Sequence, residues 1–89
     1  MGAGTPQVLE YDYLVRVTDC RLDPQVVVET FRSLMRRGAT RFLLRVPEGG
    51  FRDCLEIVRR IHQSFLFISL NVVDTDAPML RAVKGEVTL

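Results

Sequence analysis

Residues 8–46 read in order as a strand, a turn, a capped helix, a glycine stop and a second strand. Leu9, Tyr11, Tyr13, Val15 and Val17 alternate with Glu10, Asp12, Leu14 and Arg16, and a period of two predicts a strand over 8–18 with one buried face. Asp23-Pro24 then opens a helix as N-cap and first helical residue. Val27, Val28, Phe31, Leu34 and Met35 recur at helical spacing, and Gly38 after Arg36 and Arg37 supplies a left-handed stop beside basic residues that suit the helix dipole. In residues 41–46, Phe42, Leu44 and Val46 alternate with Arg41, Leu43 and Arg45 until Pro47 ends the strand. A strand–helix–strand unit of this length predicts two parallel neighbours in one sheet.

Beyond it, Glu48-Gly49-Gly50 is a short turn. A second helix is expected over 51–63, burying Phe51, Cys54, Leu55, Val58, Ile61 and His62. Residues 65–73 form a third strand, with Leu66, Ile68, Leu70 and Val72 on one side and Phe65, Phe67, Ser69 and Asn71 on the other. Asp76 and Pro78 predict a short helix through Met79, Leu80 and Val83, closed by Lys84-Gly85, and 86–89 an added edge strand. A ferredoxin-like chain needs two strands between its helices, and residues 39–50 hold one. The expected fold is α/β: a two-layer βαβαβ sandwich in which two helices cover one face of a small mixed sheet, with residues 1–7 as a loose terminus and 8–89 as the domain.

Hydrophobic content of 47% with 26% charged residues is globular composition. The longest apolar run, near residues 65–70, is far short of the roughly 18 residues of a membrane span, and residues 1–7 carry no basic or apolar leader pattern, so no membrane or signal segment is expected. Cys20 falls in a turn and Cys54 in a helix without CxxC spacing; the default reading is a cytoplasmic or other reducing compartment, with a disulfide left open. Cys54 reads as a small core residue. Cys20 in the Asp19-Cys20-Arg21 turn is the more accessible thiol, only slightly activated by Arg21. One histidine and two distant thiols do not fill a zinc site, so no metal or other cofactor is expected. His62 is a boundary histidine with no nucleophile or acid to work with, and Asp23 is better used as a cap than as a cation ligand.

Charge is uneven. Residues 1–31 carry Arg16 and Arg21 against Glu10, Asp12, Asp19, Asp23 and Glu29, whereas residues 32–60 carry eight arginines against Glu48, Asp53 and Glu56. Lys84 is the only lysine among twelve basic residues, a bias that follows from codon usage or from selection for bidentate contacts. The outward sheet face is then the most suggestive surface. Leu14, Leu43, Phe65 and Phe67 are too apolar for a solvated face, and Arg16, Arg41 and Arg45 beside them too polar for a core. Either a terminal segment covers this face or a partner does. The Glu48-Gly49-Gly50-Phe51 turn could cradle a phosphate, but Glu48 and Asp53 repel an anion there.

Residues 14–46, LVRVTDCRLDPQVVVETFRSLMRRGATRFLLRV, resemble the first half of a STAS domain, the fold of the anti-sigma-factor antagonists: a strand, a turn ending at Leu22-Asp23, a helix to Arg37, a Gly38-Ala39 stop and an apolar strand. The piece 76–83 is similar to that family's short helix. The resemblance implies a regulatory docking domain. The family's phosphorylatable serine loop is replaced here by Glu48-Gly49-Gly50-Phe51-Arg52-Asp53, which has no hydroxyl, so only the docking role carries over. Element order is also similar to the Alba proteins and to the C-terminal domain of bacterial translation initiation factor 3, which bind nucleic acid through lysine-rich surfaces.

These readings together predict a non-enzymatic protein-interaction domain, a regulatory adaptor or the small subunit of a larger assembly. Its partner is a protein or a second copy, with no membrane and no small-molecule substrate. Docking is assigned to Leu14, Arg16, Arg41, Leu43, Arg45, Phe65 and Phe67. The alternative is an RNA- or nucleic-acid-binding domain using Arg32, Arg36, Arg37, Arg41, Arg45, Arg59 and Arg60.

Overall fold

The computed structural model describes residues 9–75 and 77–89, so the expected loose terminus over 1–7 and the helix start at Asp76 lie outside the described residues. The elements are β1 (Leu9–Arg16), α1 (Pro24–Met35), β2 (Arg41–Arg45), α2 (Leu55–Ser64), β3 (Ser69–Val73) and β4 (Leu80–Thr88). They form a small α/β unit whose sheet has the order β3-β2-β1-β4. All three strand pairs are parallel, which corrects the expected mixed sheet.

The first crossover forms as its sequence dictates. Asp23 accepts the Gln25 N–H at 3.0 Å, Pro24 occupies the first turn, and Gly38 takes φ +88° after the helix, a value glycine adopts without the Cβ clash of other residues. Val27, Val28, Phe31 and Leu34 are buried. Phe31 lies 4.7 Å from the Phe42 ring between centroids, and Val15, Val17, Leu44, Val46, Ile57 and Ile61 complete the helix-side core. Steps from β1 to β2 to β3 run in one direction across the sheet, so right-handed crossovers place both helices on one face.

Helix α2 is rotated from its expected face. Cys54, Ile57 and Ile61 are buried and Val58 half-buried, while Phe51, Leu55 and His62 are exposed. The stripe that wins is 54, 57, 58, 61 and 65, because it runs on into Phe65, whose ring packs on Phe31 at 6.4 Å under the Arg32 guanidinium. Phe65 therefore ends the helix on the core side, and β3 begins four residues later than expected.

The C-terminal helix is also replaced. Residues 80–88 form β4 beside β1 at the opposite edge from β3, with Leu9 paired to Leu80 and Arg16 to Thr88. Val83, Val87 and Thr88 are β-branched and favour a strand. The ladder shifts register between Tyr11 and Tyr13, and Gly85 there has φ +149°, where a Cβ would stand 3.7 Å from the Tyr13 ring, a bulge that a helix reading of Lys84-Gly85 does not anticipate. The link from Val73 back to Leu80 reverses the direction of travel. The right-handed rule for such connections predicts a path on the face that the helices leave open.

Asp12 fixes the start of β2. It is buried, and its Oδ2 accepts the N–H groups of Thr40 at 2.9 Å and Arg41 at 3.0 Å, with the Arg41 guanidinium 3.4 Å from Oδ1. The two backbone donors, Thr40 first, outweigh burial and hold its carboxyl below the ordinary value of 3.8. Asp12→Ala is expected to destabilise the fold by about 2–3 kcal/mol at neutral pH, since it leaves two amides without their charged acceptor. A carboxyl depressed in the folded state contributes fully above its unfolded value and loses that contribution as pH falls through the folded one. The gap between wild type and Asp12→Ala in urea unfolding should therefore narrow between about pH 5 and about pH 2.

Candidate functional site

The face away from the helices is less open than expected. Leu43 is only 5% exposed, although it lies outside the helix-side core. Leu43 stands level with Leu14 and Asn71, and Asn71 donates from Nδ2 to the Tyr11 hydroxyl across the intervening strand. Leu14 is half-buried, and Arg16 reaches Glu86 on β4 at 3.2 Å. Arg41 is held by Asp12, and Arg45 is half-buried with a partner of its own. Leu43 and Phe65 are thus removed from the proposed docking set: the first is buried and the second faces the core. The remaining outward groups, Leu14, Arg16, Arg41 and Arg45, line a face that is largely tied down.

The unspent apolar surface lies at one end of the sheet. Phe67 is 92% exposed and Leu66 80%, side by side in the bend between α2 and β3. The Ser69 N–H donates to the Thr40 carbonyl at 2.8 Å, and Ser69 stands level with Arg41. The 66–68 bend therefore adjoins the turn from α1 into β2, which carries Arg36 and Arg37. Both are exposed, and neither side chain has a hydrogen-bond or ion-pair partner among the described residues. Leu9 and Met79, at the starts of β1 and just before β4, are about half exposed at the same end. Sequence reasoning named Phe67 but missed Leu66 and placed both within a strand.

The other arginines assigned to nucleic acid are engaged. Arg32 pairs with Glu29 at 2.6 Å, Arg59 with Glu56 at 2.8 Å, and Arg60 donates to Gln25 at 3.0 Å.

The opposite end of the sheet holds a cleft of about 470 Å³ lined by Thr18, Asp19, Cys20, Arg21, Glu48 and Asp53 with the 47–50 turn. That turn closes by Gly50 N–H donating to Pro47 O at 2.8 Å with Gly49 at φ +74°, a plain tight turn as expected. Arg21 lies 3.1 Å from Asp19 and holds its carboxyl below the usual range, so the cleft carries three carboxylates against one cation and repels phosphate. Cys20 and Cys54 are joined in a disulfide with Cα atoms 5.0 Å apart, a separation ordinary for such a bond. It ties the β1–α1 loop to the start of α2. No group of three or more histidine, cysteine, aspartate or glutamate side chains among the described residues could hold a metal ion. No helix among them is long and apolar enough to cross a membrane.

Comparison with known proteins adds no relative: no protein-family model, curated protein or solved structure matches the chain.

The disulfide closes a loop across a sequence separation of 34 residues, which predicts a stabilisation of about 3–4 kcal/mol over the open chain. The double variant Cys20→Ala/Cys54→Ala should lose that amount against oxidised wild type in guanidinium unfolding at neutral pH, with far-ultraviolet circular dichroism unchanged in buffer.

Proposed function

We propose that this chain is a non-enzymatic docking domain that binds a protein partner through the 66–67 bend and the neighbouring arginines. The observation that carries the reading is the exposure of Leu66 and Phe67, at 80% and 92%. Burying a side chain of this size contributes roughly 1.5–3 kcal/mol, and a compact fold that leaves two adjacent ones in water has a contact surface ready for use. Phe67 and Leu66 serve as the apolar anchor. Arg36 and Arg37 flank it and select an acidic segment on the partner, setting register and speeding encounter rather than supplying most of the affinity. The regulatory docking role implied by the STAS resemblance over residues 14–46 agrees with this use, and a subunit role in a larger assembly is the same chemistry made permanent.

The protein reading is preferred to nucleic-acid binding because Arg32, Arg41, Arg59 and Arg60 already have partners within the fold, leaving Arg36 and Arg37 as an isolated pair rather than a basic track. A reducing intracellular setting, expected from the cysteine count, requires that the Cys20–Cys54 bond either resist the thiol pool or exchange with it.

Phe67→Glu and Leu66→Ser should each leave the unfolding midpoint nearly unchanged, because neither side chain is packed. Each should weaken association at least about 30-fold, the loss of one anchor residue. The measurement is sedimentation velocity for self-association, together with affinity capture from extract of the source cells by wild type and the two variants. The reading holds if a second copy or a nuclease-resistant protein partner is bound by wild type and lost from both variants. Retention by both variants, or capture that nuclease abolishes, contradicts it.

A further inference from the structure

We propose that Cys20–Cys54 is a reversible thiol–disulfide exchange site, opened at Cys20 by a dithiol reductant that enters the cleft at the carboxyl ends of β1 and β2. The two sulfurs are unequal. Cys20 is half-buried and lines the cleft, whereas Cys54 is wholly buried. An incoming thiolate therefore reaches only the Cys20 sulfur, and Cys54 is the leaving group.

Cys54 leaves as a thiolate that takes up a proton, and the reduced Cys20 has a place within the fold. The Cys20 sulfur lies 3.3 Å from the Gly50 carbonyl oxygen, so the reduced thiol can donate to it without moving. Gly50 is part of this arrangement. A Cβ there would stand 3.2 Å from the Cys20 sulfur and 3.0 Å from the Pro47 carbonyl oxygen, so a larger residue would crowd the site. A purely structural bond needs none of these provisions for its broken state.

The reductant thiolate forms a bond to Cys20 Sγ while the Cys20–Cys54 bond breaks, its electron pair going to Cys54 Sγ. The second thiolate of the reductant attacks its own sulfur in the mixed disulfide, and the Cys20 thiolate leaves. The reductant departs oxidised to its internal disulfide, two electrons have passed to the two cysteines, and solvent protons complete the thiols. Asp19, Glu48 and Asp53 line the entrance, so an uncharged dithiol is the suitable probe and an anionic one is hindered.

The test treats the oxidised wild-type chain with dithiothreitol at neutral pH without denaturant, traps thiols with a maleimide, and follows mass and circular dichroism together. The proposal expects both cysteines to become reducible within minutes while the circular dichroism spectrum stays native, and the bond to reform on removal of the reductant. It also expects the folded Cys54→Ala variant to take one mercaptoethanol adduct at Cys20 from the uncharged disulfide 2-hydroxyethyl disulfide, and the folded Cys20→Ala variant to take none. The proposal is overturned if reduction proceeds only with denaturant, if the reduced chain loses its native spectrum, or if Cys54 in the folded variant is modified as readily as Cys20.

Discussion

Every strand in this sheet runs the same way, so each connection must cross the sheet before the next strand can begin. Two crossings use helices and stay on one side. The third, from β3 to β4, runs between Val73 and Leu80 with no helix among its described residues and travels the other way. Handedness then assigns it to the other face, and the burial of Leu43 and Tyr11 outside the helix-side core agrees with that assignment. On that face Leu43 and Tyr11 are buried, while Arg41 and Asn71 stay exposed.

That single constraint sorts the remaining surface into two ends. At the carboxyl ends of the strands, a disulfide joins two loops around an acidic cleft. At the amino ends, the Ser69 N–H to Thr40 carbonyl bond joins the segment after α2, with exposed Leu66 and Phe67, to the turn after α1. The disulfide is far from the apolar bend in the topology, since strands separate them. Asp12 lies on the side of the second end: by holding the Thr40 and Arg41 amides it fixes the end of the turn that follows Arg36 and Arg37.

Much of the first crossover was legible from residues alone, because the cap at Asp23-Pro24, the stripe from Val27 to Met35 and the stop at Gly38 all point to the same answer. Legibility declined where two patterns overlapped. In residues 51–65 two overlapping helical stripes are both apolar, and the packing of Phe65 on Phe31 selects between them. In residues 65–67 an alternating pattern imitates a strand, whereas the helix runs to Ser64 and the chain bends. Lys84-Gly85 resembles a helix stop, yet its glycine serves a bulge against Tyr13. Asp12 looked like an outward strand residue because no local signal reveals an acceptor for amides 28 and 29 residues away. The docking set inherited these errors: Phe67 is exposed as expected, while Leu43 is buried and Phe65 faces the core.

Phe65 and Phe67, two residues apart, have opposite fates, one closing the core and the other standing in solvent. Fluorine resonance spectra of the chain labelled with fluorophenylalanine, assigned by single Phe→Leu replacements and titrated with a soluble paramagnetic agent, test it most directly. The account predicts strong relaxation of the Phe67 signal, with Phe31, Phe42 and Phe65 protected in the isolated chain. A protected Phe67, or a Phe65 relaxed as strongly as Phe67, would contradict it.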